Sequence, residues 1–164
     1  MGKALEIEIT LRKANPEDLS YIIDLACESI IYSISPFRNT DTGKAKENRR
    51  NDLRDIQEWL SPNPYGLVLV AETEKGEICG HVILSMGYFG ITEDLMGWIL
   101  DITVAPCFRG TGLSQKIHNL VEIILKDKNV RALCLGVTSS NIRAVNFYKR
   151  LGYEEEYIQM VKVL

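Results

Sequence analysis

The sequence predicts an α/β fold in which a mixed, mostly antiparallel sheet is flanked by about four helices. Short apolar or alternating segments, which are typical of strands, are interspersed with segments whose apolar residues recur every three or four positions, as on the buried face of a helix. Helices separate the later strands and indicate parallel crossovers, whereas short turns join the middle strands and indicate antiparallel hairpins. The 164 residues are expected to form a single domain over residues 1–164.

The first sixty residues are expected to hold one strand and two helices. Residues 5–12 alternate as a strand does, and Asn15 followed by Pro16 is a typical helix start. A second, charged helix is expected at about residues 44–60. Its basic side chains are interpreted as a solvated face, with contact to an anionic substrate as the alternative. These basic residues are Lys44, Lys46, Arg49, Arg50 and Arg54.

The middle of the chain predicts a hairpin. Residues 67–71 and 78–85 are expected to be strands joined by a turn at residues 74–77. Gly80 lies inside the second strand, where a glycine marks a bulge or the close approach of another backbone. Residues 86–97 are expected to form a glycine-rich loop, which either carries recognition or only covers the edge of the core.

A strand, a turn and a helix at residues 98–125 form the centre of the predicted fold. Residues 98–105 are largely apolar on both faces, which indicates an interior strand. Asp101 is the acid within this apolar segment. Residues 113–125 carry an apolar helical stripe that should pack on the sheet.

The last third of the chain predicts a strand, a short helix and a closing strand. The strands are expected at residues 130–138 and 153–164, with the helix at residues 142–151. Asn141 can cap this helix, and Gly152 occurs where a left-handed residue commonly ends one.

The turn before the central helix has the chemistry of an anion-binding site. The first amides of a helix lack intrahelical acceptors and carry the positive end of its dipole. Gly110 and Gly112 leave the backbone accessible, and Arg109 supplies a guanidinium that suits phosphate oxygens. The glycine spacing matches neither a P-loop nor a dinucleotide-binding fingerprint. A pyrophosphate held in a different kind of turn is therefore expected here.

Two motifs in this half of the chain resemble those of the GNAT family of N-acetyltransferases. Residues 109–114 (RGTGLS) are similar to the family's acetyl-CoA-binding motif Gln/Arg-x-x-Gly-x-Gly/Ala, with Ser114 in place of Gly or Ala. Residues 141–153 (NIRAVNFYKRLGY) are similar to the family's segment Asn-x-x-Ala-x-x-Phe-Tyr-x-x-x-Gly-Phe, with Tyr153 in place of the final Phe. The two motifs occur in the family's order, which makes the resemblance stronger than either short motif alone.

The resemblance implies that a central parallel pair of strands splays apart around acetyl-CoA, a co-substrate used without a metal. Main-chain groups of Ile102, Thr103 and Val104 would bind the pantetheine, and the Asn141 side chain would bond it or only cap its helix. The residues that would hold the pyrophosphate are Arg109, Gly110, Thr111, Gly112, Leu113 and Ser114.

The resemblance also implies direct transfer of the acetyl group to a primary amine. Tyr148 would be the acid that protonates the leaving thiolate, although it also belongs to an apolar helix face. Asp101 is the candidate base, because burial would raise its pKa; a carboxylate satisfied by a neighbouring strand or an arginine is an equal alternative. Glu93 and Asp94 are candidate acceptor-binding residues that would attract a cationic amine.

Two other functions compete with catalysis. The first is a non-catalytic sensor or structural module that binds acyl-CoA without turnover. The second is a nucleotide-binding α/β domain that uses the same turn. Tyr148 and the second motif favour the acetyltransferase.

The composition of the chain limits the classes of binding partner that are expected. The net charge of −3 gives no electrostatic reason to bind nucleic acid or an anionic membrane. No segment has the length of a membrane span or the core of a signal peptide, so a cytoplasmic location is expected. The cysteines and the two histidines, His81 and His118, lack zinc spacing, and the histidines are interpreted as ordinary hydrogen-bonded or solvated side chains. The expected partner is a small-molecule or peptide amine, with a homodimer as one option for assembly.

Overall fold

In a computed structural model, which describes residues 7–60, 65–89 and 93–164, five strands form one sheet in the order β1-β2-β3-β4-β5. The strands are β1 (Ile9–Lys13), β2 (Gly66–Thr73), β3 (Ile78–Phe89), β4 (Asp94–Val104) and β5 (Ala132–Leu135). The α-helices in the described part are α1 (Leu19–Ser29), α2 (Thr42–Asp52), α3 (Leu113–Asp127) and α4 (Ile142–Arg150). Only β4 and β5 run parallel among the paired strands, so the predicted mixed α/β fold is confirmed.

The first helix begins where the sequence predicts. The Asn15 side chain accepts from the backbone N–H of Asp18, and the Asp18 carboxylate accepts from the N–H of Asn15 at 2.8 Å. This reciprocal cap starts a single 3-10 turn at Pro16–Asp18, and α1 follows directly.

The second helix is shorter than expected. α2 ends at Asp52, and a 3-10 segment, Arg54–Leu60, follows it, so the prediction of one helix over residues 44–60 is wrong in its second half. Asn51 and Asp52 are poor helix formers, and the buried Leu53 that follows them closes α2 with its N–H bonded to the Arg49 carbonyl.

The hairpin between β3 and β4 is longer than predicted. Met86 pairs with Gly97 and Tyr88 pairs with Leu95, so the prediction of a loop over residues 86–97 is wrong for these strand residues. Residues 90–92 of that loop lie outside the described residues. The glycines suggested a loop, but cross-strand pairing overrides this local preference, and Trp98 lies over Gly87.

Two apolar clusters cover the two faces of the sheet. On one face α3 packs its stripe, represented by Ile117 and Val121, against β3 and its neighbours. On the other face Ile22 of α1 packs against Val70 and Ile83. The stripe predicted for the central helix is therefore confirmed.

Gly80 marks a close approach, as predicted. A Cβ atom at this position would lie 2.6 Å from the carbonyl oxygen of Thr103 on β4. The register of β2 and β3 also shifts beside it, between Ala71 and Glu72. A side chain larger than hydrogen would therefore push β3 and β4 apart.

The parallel strands separate halfway along β4. Pairing with β5 runs from Met96 to Ile99, which lies opposite Leu135, and β5 ends there. Leu100 is the extra residue of a bulge against β3, and residues 101–104 pair with β3 alone among the described strands. The strand predicted over residues 130–138 is thus wrong beyond Leu135, and the implied splay is present.

The closing strand predicted at residues 153–164 is wrong, since these residues form no strand. From residue 154 onward their apolar side chains face solvent; Tyr157 is 80% exposed and Met160 is 89% exposed. A strand forms only with a partner, and β5 offers a paired edge of just four residues. None of the helices in the described part of the chain is long and apolar enough to cross a bilayer.

Candidate active site

The splayed strands leave a cleft, which we define by residues 100–104 of β4, the turn at residues 109–114 and residues 136–141 after β5. The turn follows the carboxyl end of β4 and leads into α3. Ligands of α/β proteins commonly lie at this end of parallel strands. The cleft therefore brings the predicted cofactor residues to one end of the sheet.

The glycine turn is open towards solvent. Gly110 and Gly112 have φ angles of +80° and +85°, a left-handed conformation that favours glycine, and Gly112 is the N-cap of α3. A Cβ atom at either position would meet nothing within 4 Å. The backbone conformation requires glycine here, and the space beside it is available to a ligand at the positive end of a 15-residue helix.

Arg109 is fixed at the end of β4. Its Nε donates to the carbonyl of Val104 at 3.2 Å, and its guanidinium lies over the ring of Tyr32, 5.7 Å from the ring centroid. The Nη atoms of Arg109 are not used by these two contacts. Since the Val104 carbonyl already accepts one hydrogen bond, it has one lone pair left for another donor.

Asn141 has one hydrogen-bond partner in its own helix and one in the segment at residues 32–33. Its side-chain oxygen accepts from the N–H of Ala144, as the capping interpretation predicted, and its Nδ2 donates to the carbonyl of Tyr32 at 3.2 Å. The Thr138 hydroxyl donates to the carbonyl of Ser33 at 2.8 Å. Because Tyr32 also lies under Arg109, the segment at residues 32–33 joins both sides of the cleft.

Asp101 lies in a buried polar cluster below the cleft. Its Oδ1 accepts from the Thr103 hydroxyl at 3.0 Å and lies 3.0 Å from Nε2 of His81, while its Oδ2 forms an ion pair with Arg49. The Ser29 and Thr103 hydroxyls are 3.2 Å apart, so the cluster reaches α1 as well as α2 and β3. His81 is fully buried.

The electrostatics of Asp101 differ from the prediction. Burial by itself raises the pKa of Asp101. The hydrogen bonds and charges of His81 and Arg49 lower it by more than burial raises it, so the pKa falls to about 2. The expected rise of the Asp101 pKa is therefore wrong. The arrangement matches the alternative of a carboxylate satisfied by a neighbouring strand and an arginine.

Arg49 and His81 were not predicted to belong to this cluster. Arg49 was assigned to a solvated face, but its side chain is only 19% exposed. Its spacing was informative, because Ala45 and Leu53, four residues away on either side, are both buried. His81 pairs with Thr103 across the hairpin, which places it diagonal to Asp101.

Tyr148 of α4 lies within electrostatic reach of this cluster. Burial and, to a smaller extent, the negative charge of Asp101 raise the pKa of Tyr148 to about 12. The phenol therefore keeps its proton at neutral pH. Its ring also packs edge-on against Phe147, as the apolar-face interpretation suggested.

The structure does not bring Glu93 and Asp94 close to the polar cluster around Asp101. Asp94 begins β4, seven residues before Asp101, which corresponds to roughly 23 Å along a strand. Its carboxylate lies 3.6 Å from the guanidinium of Arg131, and Glu93 is exposed with a φ of +55°. In the described part of the chain, His, Cys, Asp and Glu side chains form no group arranged to hold a metal ion.

Comparison with known proteins gives consistent matches. The model of the acetyltransferase (GNAT) family matches residues 31–153. An uncharacterized N-acetyltransferase of Archaeoglobus fulgidus is 28% identical over 139 residues, covering 84% of this chain and 88% of that protein. A thialysine N-epsilon-acetyltransferase of Mus musculus is 34% identical over 99 residues, covering 57% of this chain and 58% of that protein.

The fold also matches solved structures. A putative acetyl transferase from Pyrococcus furiosus superposes with a TM-score of 0.75 at 24% identity, covering 96% of this chain and all of the other. At this identity the likeness concerns the fold alone.

Proposed function

This chain belongs to the GNAT acetyltransferase family, and on that premise we propose that it moves the acetyl group of acetyl-CoA directly to a primary amine, without a metal. The observation that best supports this proposal is the position of an open glycine turn, which begins α3 and follows the end of the strand that leaves its parallel partner. Tyr148 and the Asp101 cluster lie within electrostatic reach of each other beside that strand.

The residues of the turn fit a diphosphate. We propose that the main chain of residues 109–114 binds the pyrophosphate, because the glycines are open and the helix dipole favours an anion there. The unpaired side of β4 after Ile99 suits main-chain bonds from Ile102 and Val104 to the pantetheine, while the main chain of the intervening Thr103 faces its pairing partner His81 on β3. Asn141 would keep its cap and exchange its bond to Tyr32 for one to the ligand.

Tyr148 is the proposed acid. Bound acetyl-CoA supplies an activated thioester, and the phenol of Tyr148 donates a proton to the departing sulfur. Its raised pKa keeps the proton in place until the sulfur becomes negative.

Asp101 alone is a weak base, because its pKa is about 2. We therefore propose that Asp101 acts together with His81, whose Nδ1 has no hydrogen-bond partner among the described residues. Asp101 orients the imidazole, and a neutral imidazole accepts a proton at its unprotonated ring nitrogen. Since His81 is fully buried, the proton of the acceptor's ammonium reaches it through water.

Glu93 and Asp94 are proposed to contact only long acceptors. They lie too far along β4 from Asp101 to touch an amine at the reaction centre. A peptide or another extended acceptor with a cationic group at a distance would reach them. A short diamine or amino acid would not.

The test is release of CoA from acetyl-CoA in the presence of single primary amines. The panel contains thialysine, lysine, polyamines and peptides with free N-termini, because the acceptor of a relative is thialysine and the others share its amine chemistry. We expect release with at least one amine and a loss of about 10²-fold in kcat for Tyr148→Phe. Tyr157→Phe, at an 80% exposed position, is the matched control and should retain full activity.

Two outcomes would contradict the proposal. Tight acetyl-CoA binding with no release for any amine would favour the non-catalytic sensor. Stabilisation by ATP or NAD, with no shift of the melting temperature by CoA, would favour a nucleotide-binding domain.

A further inference from the structure

Tyr153, which stands where the resembling motif has phenylalanine, has a partner for its additional hydroxyl. The phenolic oxygen lies 2.8 Å from Nε2 of His118 on α3, and the two rings pack edge-on with centroids 5.4 Å apart. His118 is 1% exposed, and burial lowers its pKa against the opposing effect of Glu122. The neutral imidazole therefore accepts the phenolic hydrogen at Nε2, while its Nδ1, which has no hydrogen-bond partner among the described residues, lies 3.2 Å from the Glu122 carboxylate.

Tyr153 also contacts Tyr148 in two ways. Its backbone N–H donates to the carbonyl of Tyr148 at 3.1 Å, and its ring packs edge-on against the Tyr148 ring with centroids 5.6 Å apart. Gly152 makes these contacts feasible, since its φ of +89° turns the chain back after α4. A continuous series of contacts thus runs from His118 through Tyr153 to Tyr148.

The position of α4 explains why such a series matters. The nine-residue α4 follows the four-residue β5, so few regular backbone bonds hold this side of the cleft. The longer α3 packs firmly in the core through its buried stripe, and His118 belongs to the buried side of that helix. A side-chain bond from α3 to the end of α4 fixes the weakly supported element to the rigid one.

We propose that Tyr153 and His118 are positioning residues, which hold the phenol of Tyr148 in the orientation from which it donates its proton. The proposal rests on the acid role given to Tyr148 under the proposed function. Tyr153→Phe removes the bond to His118 and keeps the ring, whereas Tyr153→Leu removes the bond and the edge contact. We expect kcat to fall about threefold to tenfold in the first variant and further in the second, with KM for acetyl-CoA unchanged.

A double-mutant cycle separates positioning from simple stabilisation. In the Tyr148→Phe background, Tyr153→Phe should cause no further loss of kcat, because its effect passes through the Tyr148 hydroxyl. His118→Gln keeps an acceptor for the phenol and should retain more activity than His118→Leu. Tyr157→Phe, on the exposed segment after Tyr153, should change none of these values.

The outcomes are distinguishable from those of the proposed function. If Tyr148→Phe leaves kcat unchanged, the acid assignment fails, and this proposal fails with it. If Tyr148→Phe lowers kcat but Tyr153→Phe does not, or if the two losses multiply, only the positioning proposal is overturned. Melting temperatures are measured for every variant, and if Tyr153→Phe does not fold, the comparison of His118→Gln with His118→Leu decides in the same way.

Discussion

Asp101 of β4 and Arg49 of α2 form an ion pair beneath the cleft, and their side chains are only 10% and 19% exposed. The pair joins a helix that covers the sheet to the strand that borders the proposed cofactor site. Its energetics depend on His81, which shares the same carboxylate.

The first prediction concerns stability against pH. The pKa of Asp101 is lowered from 3.8 to about 2 in the folded state. The ionised carboxylate therefore stabilises the folded state above the unfolded pKa, and this stabilisation is lost as the pH falls from about 4 to 2. The shift corresponds to about 2 kcal/mol. Urea unfolding of Asp101→Asn should therefore show a smaller loss of stability over this range than the parent protein. Asp24→Asn, whose exposed pair with Arg50 is solvent-screened, should keep the parental pH dependence, and an unchanged profile for Asp101→Asn would contradict the assignment.

The second prediction concerns the glycine turn. Gly112→Ala should destabilise the fold by about 1 kcal/mol, because alanine is strained at a φ of +85°, and should also weaken acetyl-CoA binding by bringing a methyl group against the ligand. Gly76→Ala in the β2–β3 turn, at a φ of +77°, is the matched control: it should cost similar stability without changing affinity. Calorimetric titration with acetyl-CoA measures the difference. Equal affinity in the two variants would exclude the turn as the binding site.

The third prediction concerns Tyr32. Its ring lies under the guanidinium of Arg109, a contact worth about 0.5–1 kcal/mol at an exposed site. Tyr32→Ala should therefore raise the dissociation constant of acetyl-CoA about twofold to fivefold, since Arg109 loses its support beside the turn. Tyr32→Phe keeps the ring and the backbone carbonyl that accepts from Asn141, and should bind as the parent does. An unchanged affinity for acetyl-CoA in Tyr32→Ala would contradict a role of the Tyr32–Arg109 contact in ligand binding.

The sequence predicted most of the fold because its signals were local. The reciprocal cap at Asn15, the left-handed Gly152 and the stripe of α3 each depend on residues close in the chain. The lengths of β5 and of the hairpin at residues 86–97 depend on pairing partners, which local patterns do not specify. The prediction of a closing strand at residues 153–164 was wrong for the same reason, because a strand depends on a pairing partner.

The candidate site was predictable only in part. The spacing of Gly110 and Gly112 was enough to predict the turn, and their positive φ angles agree with that prediction. The charge state of Asp101 depends on Arg49, 52 positions earlier in the chain, and on His81 across a hairpin. Burial alone suggested a raised pKa, because neither partner was known to lie beside the carboxylate.

The brevity of β5 has a dynamic consequence. Amide protons of β5 should exchange with deuterium well before those of β3, which is paired along both of its edges. The two sides of the cleft then differ in local stability: β4 is paired with β3 along its length, while β5 is held by four residue pairs. The β5 side of the cleft is therefore expected to open first when a bulky ligand enters or leaves.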